Sequence, residues 1–259
     1  MKFFPLILLT IGLCSFANAQ PTKKVVNETG SKWQPMKEIY YVLESDATIR
    51  QGSYELLRKD KPLIQGYYSN GKKDSLWSFY SSNGVMLSRK WYANGVRKDF
   101  WEFYTWKGEP EWQYDFNTGN ATHQGPSTNG IYTTSKSSDT TTYFYQTADN
   151  QWTRAKLDVP PIRLTGSGEW LNFLNRTLRY PDEAVNNEQM GTVIVAVTLD
   201  ETGTAINYNI FQSATAALDQ EALRVVKVAD NEYLPAEKDG KKVKSMYLVP
   251  IVFKLEIAK

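Results

Sequence analysis

The stretch Gly191-Thr192-Val193-Ile194-Val195-Ala196-Val197-Thr198-Leu199-Asp200-Glu201-Thr202-Gly203 decides the fold of the C-terminal third. Val193, Val195, Val197 and Leu199 alternate strictly, so a β-strand puts all four on one face. Asp200-Glu201-Thr202-Gly203 turns the chain, and Ile206, Tyr208 and Ile210 alternate on the returning strand. Upstream, Trp170, Leu171, Phe173, Leu174 and Leu178 recur at helical spacing. Arg179-Tyr180-Pro181 ends that helix, because proline disfavours αR in the residue before it. Pro181 then opens a second short helix, which Gly191 breaks. Downstream, Leu218, Ala222, Val225, Val226 and Ala229 predict a third helix with Thr215 as a cap near its start. Asp239-Gly240 is a further turn, and in the final strand, Val243 to Leu255, Tyr247, Val249, Ile251, Phe253 and Leu255 share a face.

Pro250 interrupts the final strand and has no N–H to give to a ladder. It therefore predicts an edge strand or a bulge. An edge with unpaired backbone groups accepts an added strand, while a proline on it also blocks aggregation; the residues alone leave both readings open.

Tyr68-Ser69-Asn70-Gly71 returns as Tyr92-Ala93-Asn94-Gly95, at an offset of 24 residues. The same offset relates Lys73 to Arg97, Trp77 to Trp101, Phe79 to Phe103, Tyr80 to Tyr104 and Gly84 to Gly108. A weaker earlier copy sets Gly52, Tyr54 and Leu57 before Ser75, Trp77 and Tyr80, and a later trace survives as Phe116, Gly119 and Gly125. Each copy joins an Asn-Gly turn to a short aromatic strand, so the copies predict an antiparallel meander. Its rings fill a thin sheet's core or make a surface for carbohydrate, lipid or protein. The Thr- and Ser-rich segment from Asn117 to Asp158, with the cluster Tyr143-Phe144-Tyr145, is expected to close that sheet, and Pro160-Pro161 favours an extended connector.

Two resemblances follow. The pattern Tyr-x-Asn-Gly-Lys-Lys-x-x-x-Trp-x-x-Tyr, over about residues 50–116, resembles the MORN-type repeats of the YwqK antitoxin-like family, with Ser75 and Asp99 where the repeat usually has glycine. The order Arg179-Tyr180-Pro181-Asp182-Glu183-Ala184, Gly191-Thr192-Val193-Ile194-Val195, Asp200-Glu201-Thr202-Gly203, Leu218-Asp219-Gln220-Glu221-Ala222-Leu223, Tyr233-Leu234-Pro235 and Val249-Pro250-Ile251-Val252-Phe253 resembles the TonB C-terminal domain family over about residues 163–256. That resemblance implies helices on a small antiparallel sheet whose last strand receives an extended segment, the TonB box of an outer-membrane transporter. Carried over residue by residue, it implies partner contacts at Val243, Lys244, Ser245, Met246, Tyr247, Leu248 and Val249, with Tyr180 and Pro181 as the Tyr-Pro pair near the docking region. A homodimer through the same strand is a second occupant, and a secreted β-repeat scaffold or adhesion protein is the rival reading.

Met1 to Ala19 has one positive charge, an apolar run and small residues at Ala17 and Ala19, which reads as a cleaved secretory signal. The expected organisation is a signal (1–19), an N-terminal segment (20–40), a β-repeat domain (41–158), a linker (159–168) and a C-terminal α+β domain (169–259). The mature chain is expected in the periplasm, with outer-membrane-associated and extracellular locations left open. It keeps no cysteine, since Cys14 lies in the signal. The formal charge of +2 from 30 basic and 28 acidic residues gives no case for nucleic acid. His123 is the only histidine and no Gly-x-Ser-x-Gly turn occurs, so neither a zinc site nor a Ser-His-Asp triad is expected. Gly166-Ser167-Gly168 reads as a linker, and Asp219 and Glu221 as a solvated helix face. No enzyme activity and no cofactor is expected.

Overall fold

The computed structural model describes residues 20–31, 34–124, 142–229 and 232–255. Residues 1–19, expected to be a signal, and Gly125 lie outside them. The sequence-based expectation of a mixed fold, a meander followed by an α+β unit, holds.

Nine strands form the meander in sequential order: β1 (Thr22–Ser31), β2 (Gln34–Leu43), β3 (Arg50–Arg58), β4 (Lys61–Ser69), β5 (Lys72–Tyr80), β6 (Met86–Ala93), β7 (Val96–Tyr104), β8 (Pro110–Asp115) and β9 (Asn120–His123). The sheet thus begins well before Tyr41, because β1 pairs along its whole length with β2. The 24-residue period is a physical repeat. Asn70-Gly71 and Asn94-Gly95 both take positive φ, the requirement of the tight hairpin turn that matches strand twist. Trp77 donates its indole N–H to the Tyr67 carbonyl at 3.1 Å, and Trp101 donates to the Trp91 carbonyl at 2.9 Å. Both rings are buried, stacked or tilted against Tyr54 and Tyr92 respectively.

The positions equivalent to Gly52 carry Ser75 and Asp99, and these keep the positive φ, at 57° and 51°. Left-handed backbone costs a residue with a Cβ about 1–2 kcal/mol, part of which glycine's extra chain entropy cancels. Ser75→Gly is therefore expected to raise stability by about 0.5–1 kcal/mol, a rise of about 1–3 °C in Tm by differential scanning calorimetry. A fall in Tm would show that the exposed Ser75 to Asp74 hydrogen bond matters more than the strain.

The Tyr143 cluster does not close the meander. Strands β10 (Tyr143–Gln146) and β11 (Trp152–Ala155) join a second sheet instead, in the order β11-β10-β18-β13-β14, with β13 (Gly191–Leu199), β14 (Ala205–Gln212) and β18 (Ser245–Phe253). Phe144 reaches Phe211 on β14, with ring centroids 5.5 Å apart. Three helices complete the unit: α1 (Ser167–Thr177), α2 (Asp182–Asn186) and α3 (Ala216–Val228), whose Thr215 cap accepts the Leu218 N–H. Val193, Val195, Val197, Val249, Ile251 and Phe253 meet Trp170, Leu218, Ala222 and Val226 in one buried core.

Residues 159–168, read as a connector, are built into the structure. Ile162 and Arg163 form β12 (Ile162–Arg163) against β15 (Tyr233–Leu234), and Ile162 and Leu164 pack on the meander's rings. Gly166 and Gly168 act by closeness rather than flexibility. A Cβ on Gly168 would lie 2.7 Å from the Tyr104 carbonyl oxygen, so only glycine lets α1 start against the β7–β8 turn. Glu111 of β8 caps that start by accepting the Ser167 N–H at 2.8 Å.

Candidate functional site

β13 forms the floor of the site and pairs with β18 without a register break, from Gly191 opposite Phe253 to Leu199 opposite Ser245. On its other side β18 meets β10 only where Tyr145 faces Ser245. That bridge engages the backbone of Lys244 and Met246, and beyond it, from Tyr247 to Phe253, no described strand pairs with that side.

The direction of the backbone groups follows from one hydrogen bond. Lys244 accepts the Gln146 N–H at 2.8 Å, so its carbonyl points toward β10. By the two-residue alternation of an antiparallel strand, the N–H groups of Met246, Leu248 and Val252 and the carbonyls of Met246, Leu248, Pro250 and Val252 point the same way. Pro250, opposite Ile194, therefore lacks its N–H on the open side, where β13 loses nothing. The side chains alternate with this pattern. Val249, Ile251 and Phe253 are buried in the core, while Val252 is exposed.

The residues named from sequence divide into two groups. Val243 belongs to β17 (Lys241–Val243) and pairs with Ala236 of β16 (Ala236–Lys238). Lys244 and Ser245 meet β10. Met246 closes the bridge to β10, and Tyr247, Leu248 and Val249 lie on the open stretch, with Tyr247 turned toward Tyr233 at a centroid distance of 5.3 Å. Tyr180 sits at the opposite end of β18, edge-on to Phe253 at 5.6 Å, and its hydroxyl donates to the Gln189 carbonyl at 2.6 Å. Pro181 caps the start of α2 beside it.

Sequence reasoning missed what holds that end in place. Glu221, expected on a solvated face, is buried; it accepts the Arg179 N–H at 2.7 Å and pairs with Arg224 at 2.7 Å. Arg224 in turn donates to the Thr177 carbonyl at 2.6 Å. Burial opposes the Glu221 charge, but the hydrogen bonds from Arg224 and Arg179 prevail and keep its pKa below the usual glutamate value. Asp219 likewise accepts from Ser213 and the Ala214 N–H. The i, i+3 spacing of Glu221 and Arg224 was the available signal for the pair; nothing local signalled the bond to Arg179.

A small helix-on-sheet unit with a Tyr-Pro corner and a last strand open along most of one side is now in view. Residues 176–255 match the family model described as Gram-negative bacterial TonB protein C-terminal. Over that stretch the chain is similar to the TonB C-terminal family, and the match leaves the strand meander uncovered. No curated protein and no solved structure matches the chain. Within the matched stretch the open edge of β18 presents backbone hydrogen-bonding groups. Among the described residues no cluster of His, Cys, Asp and Glu has the form of a metal site.

Proposed function

We propose that this chain is a non-enzymatic periplasmic binding module whose β18 edge takes up an extended segment of an outer-membrane transporter as an added strand. The observation that carries the reading is the unpaired side of β18 from Leu248 onward, within a stretch that matches the TonB C-terminal family. Such an edge offers main-chain hydrogen bonds for affinity and alternate side chains for selection. The Met1–Ala19 segment supplies the export signal in this reading. The aromatic meander, with its MORN-like turns, serves as the rigid mount for the docking domain. A second copy of the chain is the competing occupant of the same edge, and a transporter peptide is then expected to split such a dimer in sedimentation.

Leu248→Pro tests the edge directly. The substitution removes an outward N–H in the register where Pro250 is already tolerated, so the β13 ladder stays intact. Isothermal titration of a TonB-box peptide into the mature full-length chain should show affinity at least ~10-fold weaker for Leu248→Pro, from lost hydrogen bonds of about 0.5–1.5 kcal/mol each and a blocked strand. Unchanged affinity with unchanged Tm would end the proposal.

A further inference from the structure

Helix α1 and strands β4, β5 and β6 enclose a cavity of about 120 Å³. Phe79 and Leu87 form its wall on the meander side, and Trp170 stacked with Phe173 at 5.4 Å forms the helix side. Three charged residues line it, Glu169 and Arg176 of α1 and Arg163 of β12, whose guanidinium lies 3.7 Å over the Trp170 ring. Lys90 holds one oxygen of Glu169, with its ammonium 3.1 Å from Oε1, while the buried Oε2 has no hydrogen bond.

Arg176 is not matched. It stands at the mouth with its Nε donating only to the Asn172 carbonyl of its own helix, and among the described residues no carboxylate lies within ion-pair distance of it. Its electrostatic neighbour is Arg58, a like charge. Glu169, its other charged neighbour, acts against that like charge. A ring-sized space with mainly apolar walls therefore opens onto surplus positive charge. A space of about this size can take a benzene-sized guest.

We infer that this cavity binds a small organic anion, a monocarboxylate with a ring-sized or short acyl body. The carboxylate sits on the Arg176 guanidinium, which suits it bidentately, and the body lies between Phe79 and Trp170. Because one wall belongs to the meander and the other to α1, the bound anion clamps the docking domain to its mount.

The test is isothermal titration of the mature full-length chain with benzoate, butyrate and the neutral isostere benzamide. Saturable binding of benzoate or butyrate is expected, with benzamide at least ~10-fold weaker, as loss of a charge-assisted hydrogen bond implies. Arg176→Gln should weaken the anion by a similar factor without moving Tm, since the residue lies at the exposed end of α1. Equal binding of benzamide, undiminished binding to Arg176→Gln, or no saturation by either anion overturns the inference.

Discussion

Glu169→Leu is expected to lower Tm by about 10 °C, a loss of about 3–5 kcal/mol for breaking a buried ion pair from one side. Lys90 projects from the meander with a side chain only 5% exposed, and its ammonium meets the Glu169 carboxylate at 3.1 Å. Its other neighbours are rings: Phe79 at 4.9 Å, Trp101 at 5.3 Å and Phe103 at 5.7 Å. Ring faces attract a cation but do not replace a carboxylate, so the single substitution strands a desolvated charge. Lys90→Met combined with Glu169→Leu should regain most of the loss, since an apolar pair of similar volume is often as stable as a buried salt bridge. Thermal melts of the three variants decide the matter. A Glu169→Leu protein as stable as the parent would mean that water reaches Lys90 freely.

Gly66→Ala is the second large effect, with about 3 kcal/mol of destabilisation and a Tm lower by roughly 6–12 °C expected. A Cβ at Gly66 would stand 2.3 Å from the Trp77 ring. That ring has no room to yield, because its N–H is bound to the Tyr67 carbonyl, Tyr54 stacks on it at 5.3 Å and Tyr68 meets it edge-on at 5.0 Å. Gly84→Ala is the control: nothing lies within 4 Å there, so only the backbone cost at φ +85° remains, about 1 kcal/mol. If both variants lose the same stability, the contact with Trp77 is softer than the geometry implies. The repeat partner of Gly66 is Lys90, 24 residues on. One copy uses the position to seat a tryptophan on bare backbone; the other uses it to reach across to α1.

The parts legible in the sequence were those governed by local chemistry. Asn70-Gly71 and Asn94-Gly95 dictate turns by their tolerance of positive φ, and the alternation in Val193 to Leu199 dictates a two-faced strand. Pro250 declared its backbone direction, because a missing N–H is harmless only on an unpaired side. What stayed hidden depends on partners distant in the chain. Gly166 and Gly168 look like linker residues until the Phe103 to Thr105 backbone lies against them. Asp219 and Glu221 look solvated until Ser213 and Arg179 arrive. Tyr143 to Tyr145 carries no mark of which sheet it will join, since its pairing is set by Ser245.

That last pairing also sets an order of assembly. Tyr145 waits for Ser245, 100 residues later, so β10 and β11 leave the ribosome long before their sheet exists. The meander, built only from neighbouring strands, closes first; the C-terminal sheet cannot close until β18 is made. During synthesis Tyr143 to Trp152 is therefore an exposed aromatic hairpin, and chaperone capture of nascent chains should peak between completion of β11 and arrival of β18.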